Sequence, residues 1–158
     1  MNNNDFYTFS EYMKKNENTL TASMQDYLEM IYRLSINYGF TRIHELSQAL
    51  NVQPPSATRM VQRLAELKLI NYEKYGVIML QENGKKLGEA LLKRHNDIEI
   101  FLKAMGVSET SILAETEKIE HTISHQTMQC FGQFVSFMDE NLEFQKSFSN
   151  YRKFKKNL

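Results

Sequence analysis

The only two prolines in this 158-residue chain stand side by side, Pro54-Pro55. Proline lacks an N–H and has a fixed φ, so it fits the first turn of a helix, where amide groups have no partner anyway. The pair therefore marks a helix start. Just upstream, Ile43, Leu46 and Leu50 predict a short helix from about Arg42 to Leu50, with Asn51-Val52-Gln53 as a tight turn. Downstream, Met60, Val61, Leu64, Leu67 and Ile70 predict the buried stripe of a second helix. Asn71–Tyr75, Gly76 and Val77–Leu80 then read as two short strands around a glycine turn. Helix, turn, helix and hairpin is the order of a winged helix-turn-helix.

In that motif the second helix enters the major groove and its early residues face base edges. Here those positions are Gln53, Ser56, Ala57, Thr58 and Arg59, followed by Gln62 and Arg63. Arginine suits guanine or phosphate, glutamine can pair with adenine, and hydroxyls serve either base or phosphate. Lys74 at the hairpin tip is placed to touch the backbone of a neighbouring groove. A solvated polar face on a helix pair is the plainer alternative, and the hairpin that follows directly weighs against it.

Net charge is zero, but the average hides a division. Residues 41–94 carry nine Lys/Arg against five Asp/Glu, residues 95–145 two against nine, and residues 146–158 five against none. A basic segment beside an acidic one suits a DNA-contacting module joined to a cation-binding one, and equally suits ordinary surface charge. No apolar run approaches the roughly 20 residues that span a bilayer, and the Asn-rich start lacks a secretory pattern. One cysteine, Cys130, forms no intramolecular disulfide, so a reducing cytoplasm is the expected location.

Ahead of the prolines, Leu20 to Tyr38 reads as an amphipathic helix carrying Met24, Leu28, Ile31 and Leu34, with Thr21 or Ser23 as cap and Gly39 at its end. After the hairpin, helical pattern resumes near Asn83-Gly84 and runs to about Met105, and residues 108–123 and 125–140 read as two more helices. The expected organisation is an extension over 1–19, a DNA-binding domain over 20–82, a helical domain over 83–142 and a basic tail over 143–158.

Six metal-type side chains lie in three clusters: Asp26 with Glu29, His95, and Glu117 with Glu120 and His121. Asp26 and Glu29 are three apart, as are Glu117 and Glu120, and His121 follows Glu117 by four, so each cluster shares one helix face. Each acidic cluster alone is better explained as a solvated surface, and His95 alone as a surface or hydrogen-bonded histidine. Together they offer four carboxylates and two imidazoles and no thiolate, a set that favours Mn²⁺ or Fe²⁺ and excludes a tetra-cysteine zinc site. Paired Glu-x-x-His motifs of a carboxylate-bridged dimetal enzyme are absent, so catalysis is not expected.

Several runs over about residues 21–140 resemble the diphtheria-toxin-repressor-like metalloregulators, most closely their manganese transport regulator branch. They are Ser23–Tyr32, Thr58–Leu64, Asn71–Tyr75, Gly84–Gly88, Arg94-His95 and Ile119-Glu120-His121. The resemblance implies a mainly α fold, with a winged helix-turn-helix followed by an all-helical metal-binding and dimerisation domain. It implies that Asp26, Glu29, His95, Glu117, Glu120 and His121 are the metal ligands. Carboxylates at Asp26 and Glu117, where the iron-responsive branch has methionine and cysteine, are similar to the manganese branch, which holds two ions close together. His95 would then serve one ion and His121 the other, with Glu117 or Glu120 shared.

By the same resemblance the chain would be a cytoplasmic homodimeric regulator, expected to repress metal-uptake genes by binding palindromic double-stranded operator DNA when two Mn²⁺ ions (or Fe²⁺) are bound per subunit. The alternative is a metal-independent winged-helix regulator answering to an organic ligand. Pro55 departs from the polar residue frequent in the family, so one DNA contact is in question, and no SH3-like third domain is expected. Met128, Phe131, Phe134, Val135 and Met138 give residues 126–140 an apolar face for core packing or, by the resemblance, a dimer interface, with Cys130 buried in it. Phe144, Phe148, Tyr151 and Leu158 interleave with five basic residues in a tail that packs on the dimer, attracts phosphate or is solvated. Phe6, Tyr7, Phe9, Tyr12 and Met13 make the start too apolar for a simple tail, without indicating what they cover.

Overall fold

The computed structural model describes residues 20–156, without the side chains of Lys74 and Lys156. The apolar residues of the first nineteen positions, and Leu158, lie outside the described residues. The chain divides into two compact units, Met1–Gly88 and Glu89–Leu158.

In the first unit, helix α1 spans Ala22–Ser35. Thr21 caps it, its hydroxyl accepting from the Met24 amide at 3.3 Å. Met24, Leu28 and Ile31 form its buried stripe. Gly39, at φ +77°, receives the chain as it leaves the helix. Strand β1 (Thr41–Arg42) leads directly into α2 (Ile43–Ala49), and α3 (Pro54–Glu66) follows the turn. Two bonds fasten the start of α2: the Glu45 carboxylate accepts from the Thr41 hydroxyl at 2.9 Å and from the Arg42 amide at 3.1 Å. The helix-turn-helix turn closes with the Val52 amide donating to the Ser47 carbonyl at 2.9 Å. Pro54 occupies the first helical position of α3, as the missing N–H requires.

The stripe expected to run through Leu67 and Ile70 stops at Leu64. Helix α3 ends at Glu66 and the chain turns at Lys68 (φ 57°), which leaves Leu67 51% exposed and moves buried Ile70 into a strand. Strand β2 (Ile70–Tyr72) and strand β3 (Val77–Leu80) form the wing around a 3-10 turn at Lys74–Gly76. The sheet order is β1-β3-β2, antiparallel throughout, with Ile70 opposite Leu80 and Thr41 opposite Ile78. Strand β1 has no counterpart in the sequence reading: two residues carry no alternation, and only pairing with the wing makes them a strand.

Helix α4 (Glu82–Met105) starts in the first unit and continues into the second. Its first turn lies so close to the segment between α3 and β2 that a Cβ at Gly84 would sit 1.9 Å from the Leu69 carbonyl oxygen, so only glycine fits. At the far end Gly106 (φ +78°) closes the helix, the Val107 amide reaching the Leu102 carbonyl and the Gly106 amide the Lys103 carbonyl. That pair of bonds is a Schellman closure.

Three more helices follow: α5 (Glu109–Ile119), α6 (His125–Glu140) and α7 (Leu142–Lys156). Ile98, Leu102 and Ile112 form the centre of the second unit, with Phe101, Met128 and Phe131 packed on them. Phe101 stacks on Phe131 with centroids 4.0 Å apart and meets Phe134 edge-on at 5.5 Å. The apolar face of α6 thus packs within its own chain. Cys130, expected to be buried there, is exposed in the single chain, at the edge of that face one turn before Phe134. The basic tail is helical and anchored: the Arg152 guanidinium donates to the Gly106 carbonyl at 2.7 Å. Among the described residues no helix is long and apolar enough to cross a membrane.

Candidate nucleic-acid interface and metal centre

Helix α3 buries Ala57, Val61 and Leu64, spaced four and then three apart. That inner face sets the outer one. Gln53, Ser56, Arg59, Gln62 and Arg63 are exposed, as a DNA-reading face requires. Ala57 is not part of it: it is fully buried, so its expected place among the base-reading residues is corrected. Thr58 is half-buried and its hydroxyl donates to the Pro54 carbonyl at 3.0 Å, which leaves that oxygen only as an acceptor. At the wing tip Tyr75 is 91% exposed in the left-handed region (φ 64°), and Arg42 donates to its carbonyl at 3.4 Å. Arg42 adds an exposed cation beside the wing that the sequence reading passed over. Its signal, a basic residue opposite Val77, exists only once β1 pairs with β3.

On α1 the two expected ligands occupy adjacent turns. Glu29 is buried, and Arg33, one turn on, donates to its Oε1 from both Nε (2.9 Å) and Nη2 (2.5 Å). Beside Asp26, burial and then the Asp26 carboxylate push the Tyr27 phenol above its usual value near 10.0, so it keeps its proton at neutral pH.

In the second unit four expected ligands converge. His95, on α4, is 3% exposed. Its Nδ1 lies 3.1 Å from Glu120 Oε2 and 3.9 Å from Glu117 Oε1. Its Nε2 faces Glu99 Oε1 at 3.4 Å. Glu117, Glu120 and His121 each offer a ligand atom within 4.8 Å of the others. Glu117 and Glu120 keep the shared helical face expected of them. Helix α5 ends at Ile119, and Glu120 caps it in helical conformation (φ −59°, ψ −28°), its amide donating to the Thr116 carbonyl at 3.0 Å, while His121 stands in the turn that follows. Glu120 is 2% exposed, whereas Glu117 is half-exposed. Glu99 was also missed, although its position four residues after His95 on one helix was available as a signal.

The donor set suits a hard or borderline divalent cation. Both nitrogens of His95 face carboxylate oxygens, and a neutral imidazole can donate to only one of them. The other lone pair therefore meets an anionic oxygen unless a proton or a cation stands between. Clustered carboxylates with imidazoles and no thiolate meet the oxygen and nitrogen preference of Mn²⁺ or Fe²⁺.

A winged helix-turn-helix unit joined to a helical unit that gathers buried His95 and Glu120 with half-exposed Glu117 defines a class of DNA-binding architecture with a candidate cation site. Family comparison makes it specific. Residues 19–78 match the model of the iron dependent repressor N-terminal DNA binding domain, and residues 81–147 match that of the iron dependent repressor metal binding and dimerisation domain. The chain belongs to the iron-dependent repressor family.

Solved structures agree. The manganese regulator SloR matches with a TM-score of 0.64 and 27% identity over 72% of this chain and 54% of its own. ScaR with bound Zn²⁺ gives 0.60 and 30% identity over 72% and 54%, and a manganese-dependent transcriptional repressor in complex with manganese gives 0.63 and 25% over 72% and 53%. This chain spans about half the length of those proteins.

Proposed function

We propose that this protein is a homodimeric, metal-dependent transcriptional repressor that responds to Mn²⁺, and secondarily to Fe²⁺, and controls metal-uptake genes. The observation that carries the reading is the convergence of His95, Glu117, Glu120 and His121 in a family domain for metal binding and dimerisation. In this proposal Asp26 and Glu29 complete the ligand set, and two ions are held per subunit. A bound divalent ion supplies the positive charge that lets these carboxylates share one site. Asp26 and Glu29 lie on the helix that packs on α2 and α3, so fixing them fixes the DNA-reading unit. Gln53, Ser56, Arg59, Gln62 and Arg63, together with Lys74, then contact a palindromic operator through two subunits, whose half-sites lie roughly 34 Å apart.

The test is operator binding measured with and without Mn²⁺ at fixed salt, since salt alone moves DNA affinity steeply. Equal affinity in both conditions sinks the metal switch. Conversion from 1% to 99% of the DNA-competent form needs about 5.5 kcal/mol of differential metal binding.

One observation favours the organic-effector alternative. A cavity of about 560 Å³ lies between α4, α6 and α7, with Ile100, Met138 and Phe148 as apolar lining and Lys103, Arg152 and Lys153 as cations. Its size suits a small molecule. Calorimetry that detects no Mn²⁺ binding favours that reading over the metal switch.

A further inference from the structure

Arg33 sits one turn beyond Glu29 on α1, and its two donors converge on one carboxylate oxygen rather than spreading over both. Arginine usually meets a carboxylate as a fork, one N–H to each oxygen. Here Nε and Nη2 both address Oε1, at 2.9 and 2.5 Å. The Glu29 side chain is 10% exposed and the Arg33 side chain 35% exposed, so the pair is shielded on the carboxylate side and screened on the guanidinium side. With Glu29 as a metal ligand, the guanidinium is a fixed cation bonded to a group that must also bind a cation. Oε1 is engaged, so Glu29 offers a metal ion at most one oxygen while the pair holds.

That restriction does not weigh equally on all ions. Large, hard Ca²⁺ gathers six to eight oxygens and commonly takes carboxylates through both of theirs. An ion content with one oxygen from each carboxylate and with imidazole nitrogen loses less. We propose that Arg33 is a positioning residue for Glu29 that disfavours Ca²⁺ relative to Mn²⁺ by holding one carboxylate oxygen. The inference rests on the reading of Glu29 as a ligand, and Arg33 itself touches no ion.

Arg33→Met keeps length and helix propensity and removes both the charge and the donors. Dissociation constants for Mn²⁺ and for Ca²⁺ are measured by calorimetry on the full chain without DNA, alongside Arg33→Lys and Glu29→Ala, with far-UV circular dichroism confirming the fold. Loss of the nearby charge should tighten both ions, by roughly two- to fivefold for a partly screened pair. Freed Oε1 should tighten Ca²⁺ further, so the ratio of the Ca²⁺ to the Mn²⁺ constant falls. Arg33→Lys, which keeps the charge without the paired donors, should restore the charge effect while the ratio stays low. An unchanged or higher ratio in Arg33→Met, with Mn²⁺ binding weakened in Glu29→Ala, overturns the role of Arg33. Glu29→Ala that binds Mn²⁺ like the parent chain overturns the underlying ligand assignment instead.

Discussion

The two units put different residues in their interiors. In the first, Leu28, Ile31, Leu46, Ala57, Val61, Leu64 and Ile78 are all fully buried, and the buried polar residues Glu29, Thr41 and Ser47 bond within the same unit, to Arg33, Glu45 and the His44 carbonyl. In the second, Ile98 alone among the described apolar residues reaches that state, and His95, Thr116 and Glu120 take interior positions that could have held leucine or valine. Buried imidazole and carboxylate cost stability unless hydrogen bonds or a cation compensate them. The first unit therefore compensates those groups with hydrogen bonds of its own, whereas in the second, on the proposed function, a bound cation would compensate the buried His95 and Glu120. A DNA reader needs a rigid helix at all times; a sensor needs a fold that its ligand can shift.

The comparison breaks first in the apolar unit. Leu64→Ala removes a fully buried side chain from α3 at the junction with α1 and β2 and should cost about 2–5 kcal/mol, read as a lower denaturant midpoint. An effect below about 1 kcal/mol would mean that this core relaxes around cavities and is no tighter than the other.

In the second unit the corresponding loss should respond to metal. Mn²⁺ at a hundredfold excess over its dissociation constant should stabilise the chain by about 2.7 kcal/mol in thermal unfolding. His121→Ala, in the turn after α5, should abolish most of that gain with little change in metal-free stability. A variant that still gains as much as the parent removes His121 from the ligand set.

The reading face gives a smaller effect confined to DNA. Arg59→Ala should weaken operator binding by about 1–3 kcal/mol and relax base preference at one position, leaving thermal stability unchanged. A uniform loss across sequences, with a shallower salt dependence, would reassign Arg59 to phosphate.

How much of this was legible in the sequence follows the same division. Pro54-Pro55 places the start of α3 because proline acts on its own backbone, and the stripe from Val61 to Leu64 follows from helical period. Ala57 was misplaced for a related reason: small and uncharged, it shows no preference for either face, and only the phase fixed by Val61 and Leu64 puts it inside. Strand β1 was invisible because its pairing partner lies more than thirty residues away, at Val77 and Ile78. In the helical unit the ligand types and the shared face of Glu117 and Glu120 were readable, whereas the contact of His95 with Glu120 was not, since it joins residues 25 apart on different elements. Glu99 and Arg33 sat at plain four-residue spacing from His95 and Glu29, and could have been found from helical neighbours alone.

The anchoring of the basic tail has no sequence signal at all, because it joins residues 46 apart through one hydrogen bond. A Cβ at Gly106 would fall 0.8 Å from Arg152 Nη1, so the glycine that ends α4 also makes room for the guanidinium. Arg152 thus meets the carbonyl-rich end of α4, where a cation is favoured. Arg152→Ala should cost about 0.5–1.5 kcal/mol, the ordinary range for one hydrogen bond, and should speed amide exchange in α7 before any change appears in α1–α3. Gly106→Ala makes the stricter check. It strains the closure and evicts the guanidinium together, so its cost should exceed that of Arg152→Ala, and adding Arg152→Ala to it should cost little more. Full additivity of the two would show that α7 is held by its apolar residues and that the guanidinium contact is incidental.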